Sequence, residues 1–211
     1  MKKVSTNHQQ FTPSKIVCVG RNYVEYIEEL NNEMPTQMVV FNKPNSAISE
    51  TLNSFHQEIL HYEAELCLLV SEGQPVALGV GLDLTKRALQ SALKTKGLPW
   101  ERAKAFDGSV VLSEFVVIDD SMCQPNGELK NELGVGLFIN GQLTQTATIG
   151  LMIHKPAEIL QEIESYSSLV DGDIIMTGTP KGVGVIEKGA IFEATVCLGE
   201  EVLVSKKWQA Q

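Results

Sequence analysis

The segment that most constrains the fold is His61-Tyr62-Glu63-Ala64-Glu65-Leu66-Cys67, which predicts a strand entering a hydrophobic core. Side chains alternate along a strand, so Glu63 and Glu65 are expected on one face, and Ala64 and Leu66 on the other. The apolar run over residues 66–70 extends this strand into the core. Two neighbouring carboxylates at the edge of a core repel each other and lose solvation. They require a divalent cation, a nearby Lys or Arg, or a shared proton, and the segment alone leaves these three alternatives open.

The rest of the chain alternates short apolar runs with polar turns, which predicts a mostly β protein of the α+β class. Asn140-Gly141 is the dipeptide that a two-residue type I′ hairpin turn requires. Asn22, followed by Glu25, and Thr85 are typical of helix N-caps. The predicted strands are residues 16–20, 38–41, 58–71, 76–82, 115–118, 133–139, 142–148, 190–198 and 202–207, and the predicted helices are residues 23–30, 86–95 and 155–166. We predict a loop over 45–57, with a possible short strand at 47–48, an irregular passage over 100–113, and one domain over 1–211 with residues 1–15 as an N-terminal extension.

The charge balance restricts the possible partners. The 211 residues carry 26 acidic and 17 basic side chains, a net charge of −9, which argues against nucleic acid or an anionic membrane as the main partner. The sequence has no long apolar run to span a bilayer, and its first residues lack the apolar segment of a secretory signal. The four cysteines are widely spaced, which favours reduced thiols. We therefore expect a cytoplasmic protein.

Several polar residues stand where a strand or helix would present them to a site. Asp83 follows an apolar strand and precedes a helix, a position typical of site residues and equally of ordinary turns. Arg87 and Gln90 are three residues apart on that helix and project together. Lys104 is flanked by apolar residues, which indicates either a site lysine or a lysine whose stem packs while its charge reaches water.

Two further stretches are candidates. Tyr26 and Glu29 lie one turn apart on the first predicted helix, where Glu29 could also be a plain surface carboxylate. Residues 171–184 run from a core strand into a glycine-rich loop that contains Thr179. This loop is not a P-loop, because it lacks the Gly-Lys-Ser/Thr ending, but its amides and hydroxyl could hold a carboxylate.

Taken together and in order, these stretches resemble the fumarylacetoacetate hydrolase family, in particular its short, single-domain members of the acylpyruvase and oxaloacetate-decarboxylase type. The resemblance covers about residues 16 to 190. The matching segments are Val19-Gly20-Arg21-Asn22-Tyr23, Phe41-Asn42-Lys43-Pro44, Glu63-x-Glu65-Leu66, Leu82-Asp83-Leu84-Thr85-x-Arg87-x-x-Gln90, Gly97-x-Pro99-Trp100-x-x-Ala103-Lys104-x-Phe106, Asn140-Gly141 and Gly172-Asp173-Ile174-Ile175-x-Thr177-Gly178-Thr179-Pro180-x-Gly182-Val183-Gly184.

The resemblance implies a mixed β-roll with a few short helices, a homodimer, and a small 2-oxo acid as substrate. It implies that Glu63, Glu65 and Asp83 bind one Mg²⁺ or Mn²⁺, which suits hard oxygen ligands. A 2-oxo acid can chelate such a metal, which then stabilises an enolate. The resemblance also implies active-site roles for the following residues: Lys104, Glu29 and the residue at position 26 in catalysis, and Arg21, Arg87, Gln90 and Thr179 in substrate binding.

The sequence departs from the family pattern at the water-activating pair. Hydrolytic members carry a His where this chain has Tyr26, and a phenol with a pKa of about 10 is a poor base near pH 7. The first hypothesis is a metal-dependent enzyme that acts on small 2-oxo or 1,3-dicarbonyl acids by C–C cleavage or by decarboxylation, and decarboxylation needs no attacking water. The second is an isomerase or tautomerase of such acids, which needs no attacking water. The third is a catalytically impaired homologue that binds a metal or metabolite.

Overall fold

The computed structural model describes residues 1–29 and 36–211, with the side chains of residues 26–28 left aside. This part of the chain is mostly β, as predicted, with a few short helices. The strands are β1 (Val4–Ser5), β2 (Gln10–Phe11), β3 (Lys15–Gly20), β4 (Val39–Pro44), β5 (Ile48–Ser49), β6 (Phe55–His56), β7 (Glu58–Tyr62), β8 (Ala64–Ser71), β9 (Gln74–Asp83), β10 (Thr85–Lys86), β11 (Val110–Leu112), β12 (Val116–Val117), β13 (Leu133–Ile139), β14 (Gln142–Thr148), β15 (Ile174–Met176), β16 (Gly184–Val185), β17 (Ile191–Leu198) and β18 (Glu201–Gln209). The α-helices are α1 (Val24–Glu29), α2 (Arg87–Thr95), α3 (Glu101–Lys104) and α4 (Pro156–Tyr166).

The centre of the molecule is a large mixed sheet with the strand order β4-β3-β15-β8-β9-β11-β5. Its middle strand β8 is buried from Ala64 to Val70, which explains why the sequence there is apolar except at Glu65. Leu66 and Leu68 pack into one hydrophobic core, while Cys67 and Leu69 pack into a second core on the opposite face. The alternation of a strand thus places one set of side chains in each core.

A second, antiparallel sheet covers the first core with the order β14-β13-β17-β18. The predicted hairpin of β13 and β14 has the predicted bounds, and Asn140 (φ +51°) and Gly141 (φ +81°) both adopt the positive φ that a type I′ turn requires. The C-terminal pair β17 and β18 is also confirmed as an antiparallel pair.

The single strand predicted over residues 58–71 is wrong in one respect that matters for the site. The chain forms two strands there, and Glu63 stands between them. β7 belongs to a small sheet with β10 and β16, whereas β8 joins the large sheet. The backbone N–H of Asp83 donates to the Glu63 carbonyl at 2.8 Å, which fixes this break against the end of β9.

The two predicted N-caps are also wrong. The helix α1 begins at Val24, and the Asn22 side chain instead donates to the carbonyls of His154 and Thr177 and accepts from the His154 N–H. Thr85 lies in β10 and points its hydroxyl into the site, because α2 begins only at Arg87.

Residues 100–113, predicted as irregular, contain α3 and β11. In the predicted N-terminal extension, β1 pairs with β2 and Val4 packs in the second core. Across the described residues, we find no helix with the length and apolar composition needed to cross a membrane.

Candidate active site

Three buried carboxylates meet at one end of the β8–β9 pair. Glu65 stands opposite Gly81 in that antiparallel pair, so the start of β8 lies beside the end of β9, where Asp83 stands. The break before β8 brings Glu63 to the same place. One oxygen from each carboxylate lies within 4.8 Å of the others, as the family resemblance led us to expect.

Three cations surround two of these carboxylates. The Lys104 ammonium, delivered by α3, lies 2.8 Å from Glu63 Oε2 and 2.7 Å from Asp83 Oδ2. Lys43 Nζ, which is fully buried, lies 2.8 Å from Asp83 Oδ1. The Arg87 guanidinium contacts the other oxygen of Glu63. Glu63 and Asp83 therefore each contact two positive charges.

Thr85 completes this network. Its hydroxyl accepts a hydrogen bond from Lys104 Nζ at 2.6 Å and donates to Glu63 Oε1 at 3.2 Å. The hydroxyl fixes the ammonium group of Lys104 between Glu63 and Asp83, since a hydrogen bond to a charged group is stronger than one between neutral groups.

Glu65 differs from the other two carboxylates. Its Oε2 accepts the Gly178 N–H at 2.7 Å, and among the described residues no Lys or Arg lies within salt-bridge distance of it. Burial and the negative charges of Asp83 and Glu63 raise the pKa of the Glu65 carboxyl well above its usual range. Burial would also raise the pKa of Glu63, but Lys104 and Arg87 outweigh it and lower that pKa to about 2.

This donor set fits a divalent cation. Mg²⁺ and Mn²⁺ prefer carboxylate oxygens, and Glu63, Glu65 and Asp83 offer three that converge within 4.8 Å. Burying a carboxylate without a cation in contact costs free energy, and Glu65 contacts no Lys or Arg in the part of the chain that the structure describes. A cation held by all three residues would remove that cost.

The carboxylates form the floor of a cavity of about 430 Å³. Its wall includes three residues that the sequence predicted for the site, Arg21, Gln90 and Thr179. Arg87 is not part of this wall, but its guanidinium donates to Gln90 Oε1 at 2.9 Å and orients that amide. The apolar part of the wall comes from Val19, Val39, Phe41, Leu98 and Trp100.

A buried glutamine joins the acidic segment to the glycine-rich loop. Gln145 Oε1 accepts the N–H of Ala64, the residue between the two glutamates, at 3.0 Å. Its Nε2 donates to Thr179 Oγ1 at 2.9 Å and to the Pro180 carbonyl at 2.8 Å.

Gly178 has φ +103°, and a Cβ there would lie 2.8 Å from Asn22 Cβ. This position therefore requires glycine.

Of the predicted water-activating pair, the structure describes only the side chain of Glu29. Glu29 is exposed, does not line the cavity, and accepts the Gly182 N–H through both carboxylate oxygens, at 3.2 and 3.0 Å. The side chain of Tyr26 lies outside the described residues.

Four residues that contribute to the site were missed as functional candidates: Lys43, Thr85, Lys94 and Gln145. Lys94 lines the cavity, and its spacing of four residues from Gln90 was an available signal, because residues i and i+4 share a helix face. Thr85 was read as a helix cap. Lys43 and Gln145 act through contacts between distant segments, which their local sequence does not reveal.

The fold and the site define the class of the protein: a mostly β protein with a buried acidic centre at the floor of a cavity. Residues 15–205 match the model of the fumarylacetoacetate (FAA) hydrolase C-terminal family. The chain belongs to this family of enzymes.

Two relatives and one solved structure are similar to the chain over most of its length. The chain is 34% identical over 208 residues to a mitochondrial oxaloacetate tautomerase of Schizosaccharomyces pombe, covering 89% of this chain and 90% of that one. It is 34% identical over 191 residues to the Escherichia coli oxaloacetate tautomerase YcgM, covering 83% and 85%. A fumarylpyruvate hydrolase from Pseudomonas aeruginosa, solved with Mn²⁺ and pyruvate, has a TM-score of 0.84 and 26% identity, covering 99% and 95%.

Proposed function

We propose that this enzyme interconverts the keto and enol forms of a small 2-oxo dicarboxylic acid, with oxaloacetate as the substrate to test first. The observation that carries the proposal is the cavity floor, where a buried ammonium group, Lys104, lies among the carboxylates Glu63, Glu65 and Asp83. Two relatives at 34% identity, each covered for more than four-fifths of its length, bear the name oxaloacetate tautomerase.

Glu63, Glu65 and Asp83 are the residues that would hold Mg²⁺ or Mn²⁺. When bound, the cation supplies Lewis-acid charge that stabilises an enolate. The fumarylpyruvate hydrolase structure was solved in complex with Mn²⁺ and pyruvate, which supports binding of a divalent cation and a 2-oxo acid by this fold.

The chain's own residues would bind and polarise the substrate. Lys104, whose side chain is buried, supplies a fixed positive charge for the developing oxyanion. Gln90, oriented by Arg87, and Arg21 offer donors to the substrate carboxylate, and the Gln145–Thr179 hydrogen bond fixes the Thr179 hydroxyl at the wall.

The reaction moves one proton between C3 and the oxygen on C2, and it breaks no C–C bond and consumes no water. It therefore makes no demand on a water-activating base. This suits a structure in which Glu29 is bound by the Gly182 amide and does not line the cavity. Decarboxylation of oxaloacetate is the second candidate. It breaks the C3–C4 bond, releases CO₂ and leaves the enolate of pyruvate, whose negative oxygen the same positive charges would stabilise. Hydrolysis of acylpyruvates requires an activated water and is disfavoured by Tyr26.

The test is a substrate panel: tautomerisation of oxaloacetate followed by its enol absorbance, release of pyruvate from oxaloacetate, and cleavage of acetylpyruvate, each with EDTA, Mg²⁺ or Mn²⁺. We expect tautomerisation to be the fastest of the three and to be lost with EDTA. Glu65→Gln should lower it by at least about 100-fold. Glu193→Gln, at an exposed ion pair with Lys207, is the matched control and should leave the rate of tautomerisation unchanged. Efficient acetylpyruvate cleavage, or no oxaloacetate tautomerisation above the uncatalysed rate, would contradict the proposal.

We also propose that the protein is a homodimer, as the family resemblance implies, and that it is cytoplasmic, as the widely spaced cysteines favour. Light scattering on the purified chain tests the dimer, and a monomer would refute it.

A further inference from the structure

Lys94 is a cation of the cavity wall that the reaction described above does not use. It stands on α2 four residues after Gln90, and its ammonium lies 4.8 Å from the centre of the Trp100 ring. Among the described residues, no carboxylate lies within salt-bridge distance of it. Its ammonium therefore lies at the cavity wall in contact with an aromatic ring and with no carboxylate of residues 1–25, 29 or 36–211.

The charges at the cavity floor are balanced without Lys94. The floor holds three carboxylates, Glu63, Glu65 and Asp83. Three cations, Lys43, Lys104 and Arg87, contact Glu63 or Asp83 and equal the carboxylates in number. Lys94 adds a positive charge beyond this balance, in a chain whose net charge is −9. Positive charge held in a cavity attracts an anion there.

We propose that Lys94 binds a second carboxylate of the substrate, so that the site selects dianionic 2-oxo acids over monoanionic ones. This inference rests on the proposed function. The first carboxylate and the keto oxygen of the substrate belong to the acidic centre and to Gln90 and Arg21. A second carboxylate at the far end of the same small molecule would pair with Lys94, which the Trp100 ring holds at the wall by a cation–π contact.

The state of the lysine supports this role. Lys94 is exposed as a whole residue, yet burial of its ammonium group and the positive charges of Arg21, Lys104 and Arg87 lower its pKa to about 8. An anion bound there would relieve this repulsion. The position of Lys94 in the cavity wall and its contact with the Trp100 ring place its ammonium beside the cavity.

The experiment compares two unreactive ligands on the Mg²⁺-loaded protein by calorimetry: L-malate, a dicarboxylate, and L-lactate, a monocarboxylate. Lys94→Met should lower the affinity for L-malate by at least about tenfold, because one charge-assisted contact is lost. The affinity for L-lactate should stay within about twofold of the wild-type value. Lys94→Arg should restore most of the L-malate affinity. Lys96→Met, two residues on and exposed at the end of the same helix, is the matched control and should bind both ligands like wild type.

The proposal would be overturned if Lys94→Met lost affinity for both ligands equally or for neither. It would also be overturned if the wild-type protein did not bind L-malate. The binding assay separates it from the proposed function, because it requires no turnover. If Lys94→Met loses L-malate selectively while wild type fails to tautomerise oxaloacetate, only the reaction is wrong. If wild type tautomerises oxaloacetate and Lys94→Met keeps its L-malate affinity, only the role of Lys94 is wrong.

Discussion

Replacing Lys43 with methionine tests whether the acidic centre is a metal site. The Lys43 side chain is fully buried, its ammonium lies 2.8 Å from Asp83 Oδ1, and it donates to Ser109 O and Oγ, both at 3.1 Å. Methionine fills a similar volume but brings no charge. The substitution therefore leaves Asp83 buried with Lys104 as its remaining cation.

The cost follows from this burial. Breaking a buried ion pair by removing one partner costs about 3–5 kcal/mol, and because Asp83 keeps Lys104 we expect about 3 kcal/mol. A divalent cation at the triad would replace the lost charge. Mg²⁺ should therefore bind the folded variant more tightly than wild type, and a tenfold difference in affinity would return about 1.4 kcal/mol under saturating metal.

The assay is urea unfolding of both proteins, once in EDTA and once in saturating Mg²⁺. Lys15→Met is the control, since Lys15 also pairs with a buried aspartate, Asp173, at 2.9 Å but belongs to another part of the fold. Its loss of stability should be the same in EDTA and in Mg²⁺. If Mg²⁺ recovers no more stability in Lys43→Met than in Lys15→Met, the assignment of Asp83 as a metal ligand is refuted.

Thr85→Val removes a hydroxyl that accepts a hydrogen bond from Lys104, worth about 1.5–3 kcal/mol. Tautomerisation should therefore slow about 10- to 100-fold while the circular dichroism spectrum stays unchanged, and an unchanged rate would contradict this. Gly178→Ala should lower the melting temperature and weaken Mg²⁺ binding, because the new Cβ displaces the N–H that holds Glu65. An unchanged affinity for Mg²⁺ in calorimetry would contradict this. Above about pH 8, where Lys94 loses its proton, the KM for oxaloacetate should rise while that for a monoanionic 2-oxo acid stays level; parallel pH profiles would argue against it.

The sequence predicts those parts of the fold that local chemistry determines. The Asn140-Gly141 turn fixes the β13–β14 hairpin, and Pro156 at the start of α4 marks a helix that the structure confirms. The break at Glu63 could not be predicted, because it arises from the pairing of β7 with β10 and β16 rather than from the residues at the break. A continuous run of strand-forming residues carries no mark of which sheet each half will join.

The site shows the same division. Family resemblance locates the three carboxylates, Lys104 and the wall residues Gln90 and Thr179, and the structure brings them to one cavity. It does not show what holds them there. Gln145 contacts Ala64, 81 residues earlier in the chain, and Thr179, 34 residues later, and such contacts follow only from the packed fold.

The charges of the site lead to a further prediction about the order of binding. Among the described residues no cation contacts Glu65, so a bound divalent cation would neutralise this carboxylate. It would also add two positive charges to a cavity floor whose acidic and basic side chains are equal in number. An excess of positive charge in a cavity is unfavourable unless an anion accompanies it. Mg²⁺ and L-malate should therefore each tighten the binding of the other, by the same factor in both directions. Titrating each ligand in the absence and presence of the other measures this factor, which should be smaller for L-lactate. Independent binding of Mg²⁺ and L-malate would show that the substrate anion does not complete the charge balance of the metal centre.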